Sequence, residues 1–277
     1  LFKHPDRLLE AIHQKSPDIV GLANYGWNES LNLTLGTYIR SQLPKILIVA
    51  GGPNIDPAQK KRQDFLNRHH YLDFVFIDGG EESFSELITW WQEGSKNYSD
   101  LPQNMVWNDG GLIQETPERP LKKLIQNIPS PYLAGYLDEF LKAGLVPMFE
   151  TNRGCPFQCT FCAWGMASKN MIRRFDVKTA IHEVEYVGAR SKASNWIFCD
   201  ANFGILERDI DIAKTIRKVK DQYGHPQQCQ IWLAKNVTQR NLEVAKILDE
   251  MCVPVMAVQS LEKEVLKNIK RGNISTE

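Results

Sequence analysis

The sequence predicts an α/β protein made of two successive parallel-sheet units joined by a proline-rich segment that carries a β-hairpin. Three observations lead there. Short apolar runs alternate with amphipathic stretches over residues 1–95 and again over residues 144–277, the pattern of repeated βα units whose sheets are covered on both faces. Between them, residues 96–143 lose that rhythm and include Pro117, Pro120, Pro129 and Pro131, too many breakers for one regular element. Finally, Cys155, Cys159 and Cys162 stand at C-x3-C-x2-C spacing directly after a strand-like run.

In the first unit, Leu8, Leu9 and Ile12 fall at helical spacing, and Asp18–Ala23 reads as a buried strand. Leu31–Leu43 returns to a helical pattern, and Lys45–Ala50 is a β-branched run ending in Gly51-Gly52-Pro53. Residues 58–69 are helix-like, Phe74–Ile77 is a third apolar run, and Ser83–Trp91 is amphipathic. Ligands in such sheets bind beyond the carboxyl ends of the strands. Three loops stand there: Asn24–Asn28, Gly51–Asn54 and Gly79–Glu82. Glycine admits a close backbone approach to a ligand, although glycine after a strand is also ordinary turn chemistry.

Within residues 96–143, Asn104–Trp107 and Leu112-Ile113 flank Asn108-Asp109-Gly110-Gly111, a hairpin signal. Tyr132–Leu141 reads as a short helix. In the second unit, Leu145–Glu150 is the first strand and delivers the cysteine loop at its carboxyl end. Asp176 is an N-cap candidate for a helix bearing Ile181, Val184 and Val187 on one face. Asn195–Cys199, Gln230–Ala234 and Val253–Val258 are the next strands, alternating with helical stretches at Ile210–Tyr223 and Leu242–Met251.

Charge and composition narrow the partners. Lys plus Arg total 33 and Asp plus Glu total 33, so no basic excess points to nucleic acid or an acidic membrane surface. No apolar run approaches a membrane span and no signal peptide is visible. Cys199, Cys229 and Cys252 lie at or beside apolar runs and read as small buried hydrophobes, which suits a reducing cytoplasm. The chain opens on Leu1 in what reads as the middle of a domain and stops just after a helical pattern, so a fragment is expected at both ends.

Three thiolates on one short loop can wrap a single metal centre. A structural zinc site takes four ligands, and a [4Fe-4S] cluster normally takes four cysteines. Three cysteines leave one iron open for a small molecule, which suggests chemistry rather than electron storage. A zinc loop or buried structural thiols are the alternative.

With its filling, Gly-Cys-Pro-Phe-x-Cys-x-Phe-Cys over residues 154–162 resembles the radical S-adenosylmethionine (SAM) family. The resemblance implies that Cys155, Cys159 and Cys162 each bind one iron of a [4Fe-4S] cluster. The fourth iron would chelate the amino and carboxylate groups of SAM, whose reductive cleavage gives a 5′-deoxyadenosyl radical. It implies that Phe161 lies near the adenine. It makes Asp200, Asn202, Lys235, Gln259 and Ser260, at the ends of later strands, candidates for SAM contact. For Asp200 and Asn202, helix capping before Glu207 is the alternative.

The order and spacing of Tyr25-Gly26-Trp27, Gly51-Gly52-Pro53 and Gly79-Gly80-Glu81 resemble the cobalamin-binding (B12) domain that precedes the catalytic domain in one radical SAM class. The resemblance implies a Rossmann-like B12-binding sheet over residues 1–95, with those nine residues around the corrin. It implies a radical SAM partial (β/α)6 barrel over residues 144–277, present here through about four β/α units. The Asp-x-His-x-x-Gly motif of many B12 domains does not occur in this sequence. Gly79-Gly80-Glu81 precedes the cysteine loop, so it is not the Gly-Gly-Glu that holds the SAM amino group.

The activity implied is cobalamin-dependent methyl transfer to an unactivated carbon of a small-molecule or peptide substrate. An electron donor such as flavodoxin or ferredoxin would serve it. A cyclase or rearrangement enzyme with the same two domains, a non-catalytic metal-binding module, and a cobalamin carrier or sensor stay open as alternatives.

Overall fold

The computed structural model describes residues 4–56, 58–94, 97–162, 164, 171–234, 239–255 and 258–272. The chain divides into two units, Leu1–Pro120 and Leu121–Glu277.

The first unit runs α1 (Pro5–Lys15), β1 (Ile19–Ala23), α2 (Glu29–Gln42), β2 (Leu47–Gly51), α3 (Gln59–Arg68), β3 (Phe74–Phe76), α4 (Glu81–Gln92), β4 (Met105–Asp109) and β5 (Leu112–Glu115). Its five strands lie in sequence order. Strand alternation divides the side chains between two cores. Ile48, Ala50, Val75 and Ile77 pack on one face with Leu35, Ile39, Phe65 and Leu66 of α2 and α3. Leu47, Val49, Phe74 and Phe76 pack on the other with Leu87 and Trp90 of α4.

The hairpin at 105–115 is not a free linker. β1, β2 and β3 are parallel, but β4 pairs antiparallel with β3, and β5 with β4. The first sheet is therefore mixed. The reason is apolar content beside an open strand edge: Val106 joins one core, while Met105 and Trp107 join the other. Arg62 of α3 locks β5 in place through a bidentate pair with Glu115, at 2.8 Å to each carboxylate oxygen.

The second unit carries α5 (Asp138–Lys142), β6 (Met148–Phe149), β7 (Asn152–Arg153), β8 (Arg173–Arg174), α6 (Val177–Gly188), β9 (Asn195–Phe198), α7 (Asp209–Tyr223), β10 (Gln228–Trp232), α8 (Gln239–Leu248), β11 (Cys252–Val255) and α9 (Lys263–Asn268). β6, β9, β10 and β11 form a parallel sheet in sequence order. Phe149, Trp196, Phe198, Cys229 and Ile231 turn to the helices and share a core with Val184, Val187, Ile212, Ile216 and Val244. Asp176 caps α6 as expected, its carboxylate accepting from the N–H groups of Lys178 and Thr179.

Two expectations change here. Only Asp138–Lys142 of the segment from Tyr132 is α-helical, and Tyr132 instead docks on β6, donating to the Met148 carbonyl at 2.9 Å and accepting from its N–H at 3.0 Å. Cys229 is fully buried, but Cys199 is exposed, because alternation after Phe198 turns it away from the helix-covered core.

Candidate cofactor site

The cysteine loop is closed at its base by β7 and β8, which pair antiparallel with Asn152 opposite Arg174 and Arg153 opposite Arg173. The arginines after the loop therefore serve first as its closing strand. Arg153 pairs with Glu150 at 2.7 Å and lies over the Phe175 ring.

Thr151, four residues before Cys155, is held on every polar group. Its N–H donates to Asp200 Oδ1 at 2.7 Å and its hydroxyl donates to Asp200 Oδ2. Its carbonyl accepts from Arg208 Nη2 at 2.6 Å and from the Phe175 N–H at 3.1 Å. Arg208 Nη1 also reaches the Phe175 carbonyl at 2.7 Å. Asp200 accepts in addition from Asn152 N at 3.1 Å and Asn152 Nδ2 at 3.0 Å. Asp200 is fully buried, and desolvation pushes its carboxyl up to about 7 despite these bonds.

Asn202, two residues on, donates from Nδ2 to Cys155 Sγ at 3.2 Å. It is 1% exposed, and its Oδ1 has no hydrogen-bond partner among the described residues. The capping considered for Asp200 and Asn202 falls instead to Asp209, whose Oδ2 accepts from Gly204 N at 2.9 Å and Leu206 N at 3.0 Å. Burial pushes the Asp209 carboxyl up to about 6.

Cys155 and Cys159 are buried and Cys162 is half-buried. The far side of the loop is tied to the end of α9, where Thr160 N donates to the Ile269 carbonyl at 3.1 Å. Phe161 is exposed. Gln259 is exposed, and Ser260 Oγ accepts from Glu262 N at 3.1 Å on the approach to α9. Lys235 lies outside the described residues. Among the described residues, no three His, Cys, Asp or Glu side chains are gathered to hold a single metal ion.

In the first unit, the loops after β1 and β2 are bonded to each other. Asn24 N donates to the Gly51 carbonyl at 2.7 Å, and Asn54 N donates to the Asn24 carbonyl at 3.2 Å. Gly52 has φ +123°, and a Cβ there would meet the Asn24 carbonyl oxygen at 2.6 Å. Tyr25 and Trp27 stack at 4.5 Å with 15° between the rings, and Trp27 is 83% exposed. Gly26 lies near Asn54, and Gly51 and Gly80 both adjoin Phe76. Pro53, Gly79 and Glu81 are exposed on the same strand ends. All nine expected residues thus stand at the carboxyl ends of the parallel strands β1, β2 and β3.

Some features that shape these sites were not drawn from the sequence. Asn24, Asn28 and Asn32 recur every fourth residue, and the Nδ2 groups of Asn28 and Asn32 both donate to the Ala23 carbonyl at 2.9 Å. That spacing was a usable signal. Thr151 and Arg208 had none, because 57 residues separate them.

No protein-family model matches the chain. It is 32% identical to the cobalamin-dependent radical SAM methyltransferase TokK of Streptomyces tokunonensis, over 93% of this chain and 38% of that protein. It is 31% identical to 2-(S-pantetheinyl)-carbapenam-3-carboxylate methyltransferase of Streptantibioticus cattleyicolor, over 100% of this chain and 42% of that protein. The chain thus spans about two-fifths of the length of these relatives. Its fold matches the structure of the cobalamin-dependent S-adenosylmethionine radical enzyme OxsB with aqua-cobalamin and S-adenosylmethionine bound, with a TM-score of 0.72 and 19% identity over 98% of this chain and 39% of that one.

Proposed function

Because the chain belongs to the cobalamin-binding class of the radical SAM superfamily, we propose that it forms the cofactor-binding part of a cobalamin-dependent methyltransferase. That enzyme acts on an unactivated carbon of a small molecule. The observation that carries this reading is the meeting of the cysteine loop with Asp200 and Asn202 at the carboxyl ends of neighbouring parallel strands. The parallel sheet would then be the first part of a partial (β/α)6 barrel, whose chemistry sits at that end.

The residues fit the cofactors. Three cysteines on one loop suit a [4Fe-4S] cluster with one iron open better than a mononuclear structural zinc, which takes four ligands. The N–H on Cys155 Sγ and the buried, unpartnered Asn202 Oδ1 suit a polar group bound beside the loop. The flat Tyr25–Trp27 stack, with Trp27 exposed, and the glycine-lined strand ends suit a broad planar ligand such as a corrin.

When bound, the cluster supplies the electron that cleaves SAM to methionine and a 5′-deoxyadenosyl radical, and cobalamin supplies the methyl group. The chain's own residues hold and orient. Cys155, Cys159 and Cys162 would ligate the cluster, while Asp200, Arg208 and the β7–β8 pair fix the approach of the loop. Met148, Ile197, Gln230 and Val253 stand in one row on the sheet face opposite the helix core, and that face would line the substrate space.

The test is product analysis. Under strict reduction the reconstituted chain should release 5′-deoxyadenosine from SAM, and Cys155→Ala should abolish release. Release that persists in the cysteine variant would remove the reading.

A further inference from the structure

We propose that Asn202 sets the reduction potential of the cluster held by Cys155, Cys159 and Cys162; the inference rests on the reading above that this loop holds a cluster.

Hydrogen bonds to cluster sulfurs are one of the levers by which a protein tunes an iron–sulfur potential. Among the described residues, Asn202 Nδ2 donates to Cys155 Sγ at 3.2 Å. The orientation of the amide follows from chemistry. A ligating thiolate only accepts, so it attracts the NH2 end and repels the carbonyl end. Reduction adds negative charge to the cluster, and the N–H dipole stabilises that charge more in the reduced form. At 1% exposure, no water competes for the bond and little screens it.

The side chain is also held in place. Asn202 follows β9, and its carbonyl accepts from Ile205 N at 3.3 Å. The next residue, Phe203, is fully buried and donates its N–H to the Trp232 carbonyl of β10 at 2.7 Å. A donor anchored between two strands keeps its distance to sulfur when the loop breathes. Asp200 cannot take this role. Both of its oxygens are already engaged, accepting from Thr151 and Asn152.

The other end of the amide is a second, independent observation. A buried carbonyl oxygen without a partner is costly, and among the described residues Asn202 Oδ1 is one. A hydrogen-bond donor on a molecule bound beside the loop would satisfy it. The same side chain would then register that molecule while touching a cluster ligand.

The experiment uses the full chain, reconstituted anaerobically, with iron and sulfide quantified before an EPR-monitored redox titration. Asn202→Leu keeps the volume and removes the donor. Its reduction equilibrium should shift at least tenfold toward the oxidised form, which is about 59 mV lower for one electron. An unchanged potential at equal cluster content overturns the proposal. If the variant takes up no cluster, the wild-type chain labelled with 15N at asparagine side-chain amides decides. Pulsed EPR of its reduced cluster should show 15N coupling, and no coupling overturns the proposal. A wild-type chain that assembles no cluster removes the underlying reading, a result distinct from either.

Discussion

Asp200 holds Thr151 by two groups at once, taking the backbone N–H on Oδ1 and the hydroxyl on Oδ2. Arg208 takes the carbonyl of the same residue. Thr151 is therefore a fixed post from which the cysteine loop springs, and β7 with β8 closes that loop again after its cysteines. A loop that must present three thiols in register gains from such a base, because its ordering entropy is met by the fold rather than by the ligand.

Replacing Asp200 by Ala leaves the N–H groups of Thr151 and Asn152 and two side chains without their acceptor. Buried donors left without a partner cost on the order of 1–3 kcal/mol each before relaxation. We expect a loss of about 3 kcal/mol in urea denaturation. Iron uptake on reconstitution should fall in parallel, since the base of the loop loosens.

Stability should depend on pH through the same carboxyls. Asp200 is pushed up to about 7 and Asp209 to about 6, both from 3.8, by burial. The folded chain therefore binds more protons than the unfolded chain between about pH 4 and pH 7. The stabilisation from this source is fully present below about pH 4 and is lost as pH rises through these folded values. Asp200→Asn should flatten the fall between about pH 4 and 7 in denaturation curves taken across that range.

Gly52→Ala places a methyl 2.6 Å from the Asn24 carbonyl oxygen at φ +123°. The strained backbone alone costs about 1–3 kcal/mol. The loops after β1 and β2, which share the Asn24–Gly51 and Asn54–Asn24 bonds, should separate. Hydroxocobalamin titration should then show weakened binding.

Trp27→Ala should separate binding from stability. The ring is 83% exposed and touches Tyr25 as a stack, so its removal should change stability by no more than about 0.5 kcal/mol. Cobalamin affinity should nevertheless drop, because the flat surface offered to the ligand shrinks. Unchanged affinity would place the corrin elsewhere.

Much of this architecture was legible in the sequence. Strand alternation at Leu47–Ala50 and Phe74–Ile77 divides into two cores as the pattern implies. The Asp176 cap and the Ile181–Val187 face could be read locally for the same reason: helix signals act within a turn or two. The pairing of the hairpin with β3, the docking of Tyr132 on Met148, and the hold of Asp200 on Thr151 could not. Each joins residues that are far apart in sequence, at 16 positions for Tyr132–Met148 and 49 for Asp200–Thr151. Such contacts are selected by packing, which leaves no periodic trace. Arg62 illustrates the point: it lies in the helix-like stretch 58–69, yet its side chain is 6% exposed against Glu115 of β5.

That pair makes its own prediction. Arg62→Met leaves Glu115, itself 24% exposed, facing the core without a cation. Breaking a buried pair on one side costs about 3–5 kcal/mol, less where water reaches the partner. We expect about 3 kcal/mol by chemical denaturation, with much of it recovered in the double variant Arg62→Met with Glu115→Leu.

The most direct test of a SAM-binding cluster on this loop is the low-temperature EPR spectrum of the anaerobically reconstituted, reduced chain with and without SAM. The expected result is a brown protein whose cluster signal changes when SAM is added, because SAM takes the iron that Cys155, Cys159 and Cys162 leave open. A colourless protein that retains stoichiometric zinc and shows no response to SAM would contradict it and leave the three cysteines as a structural clip.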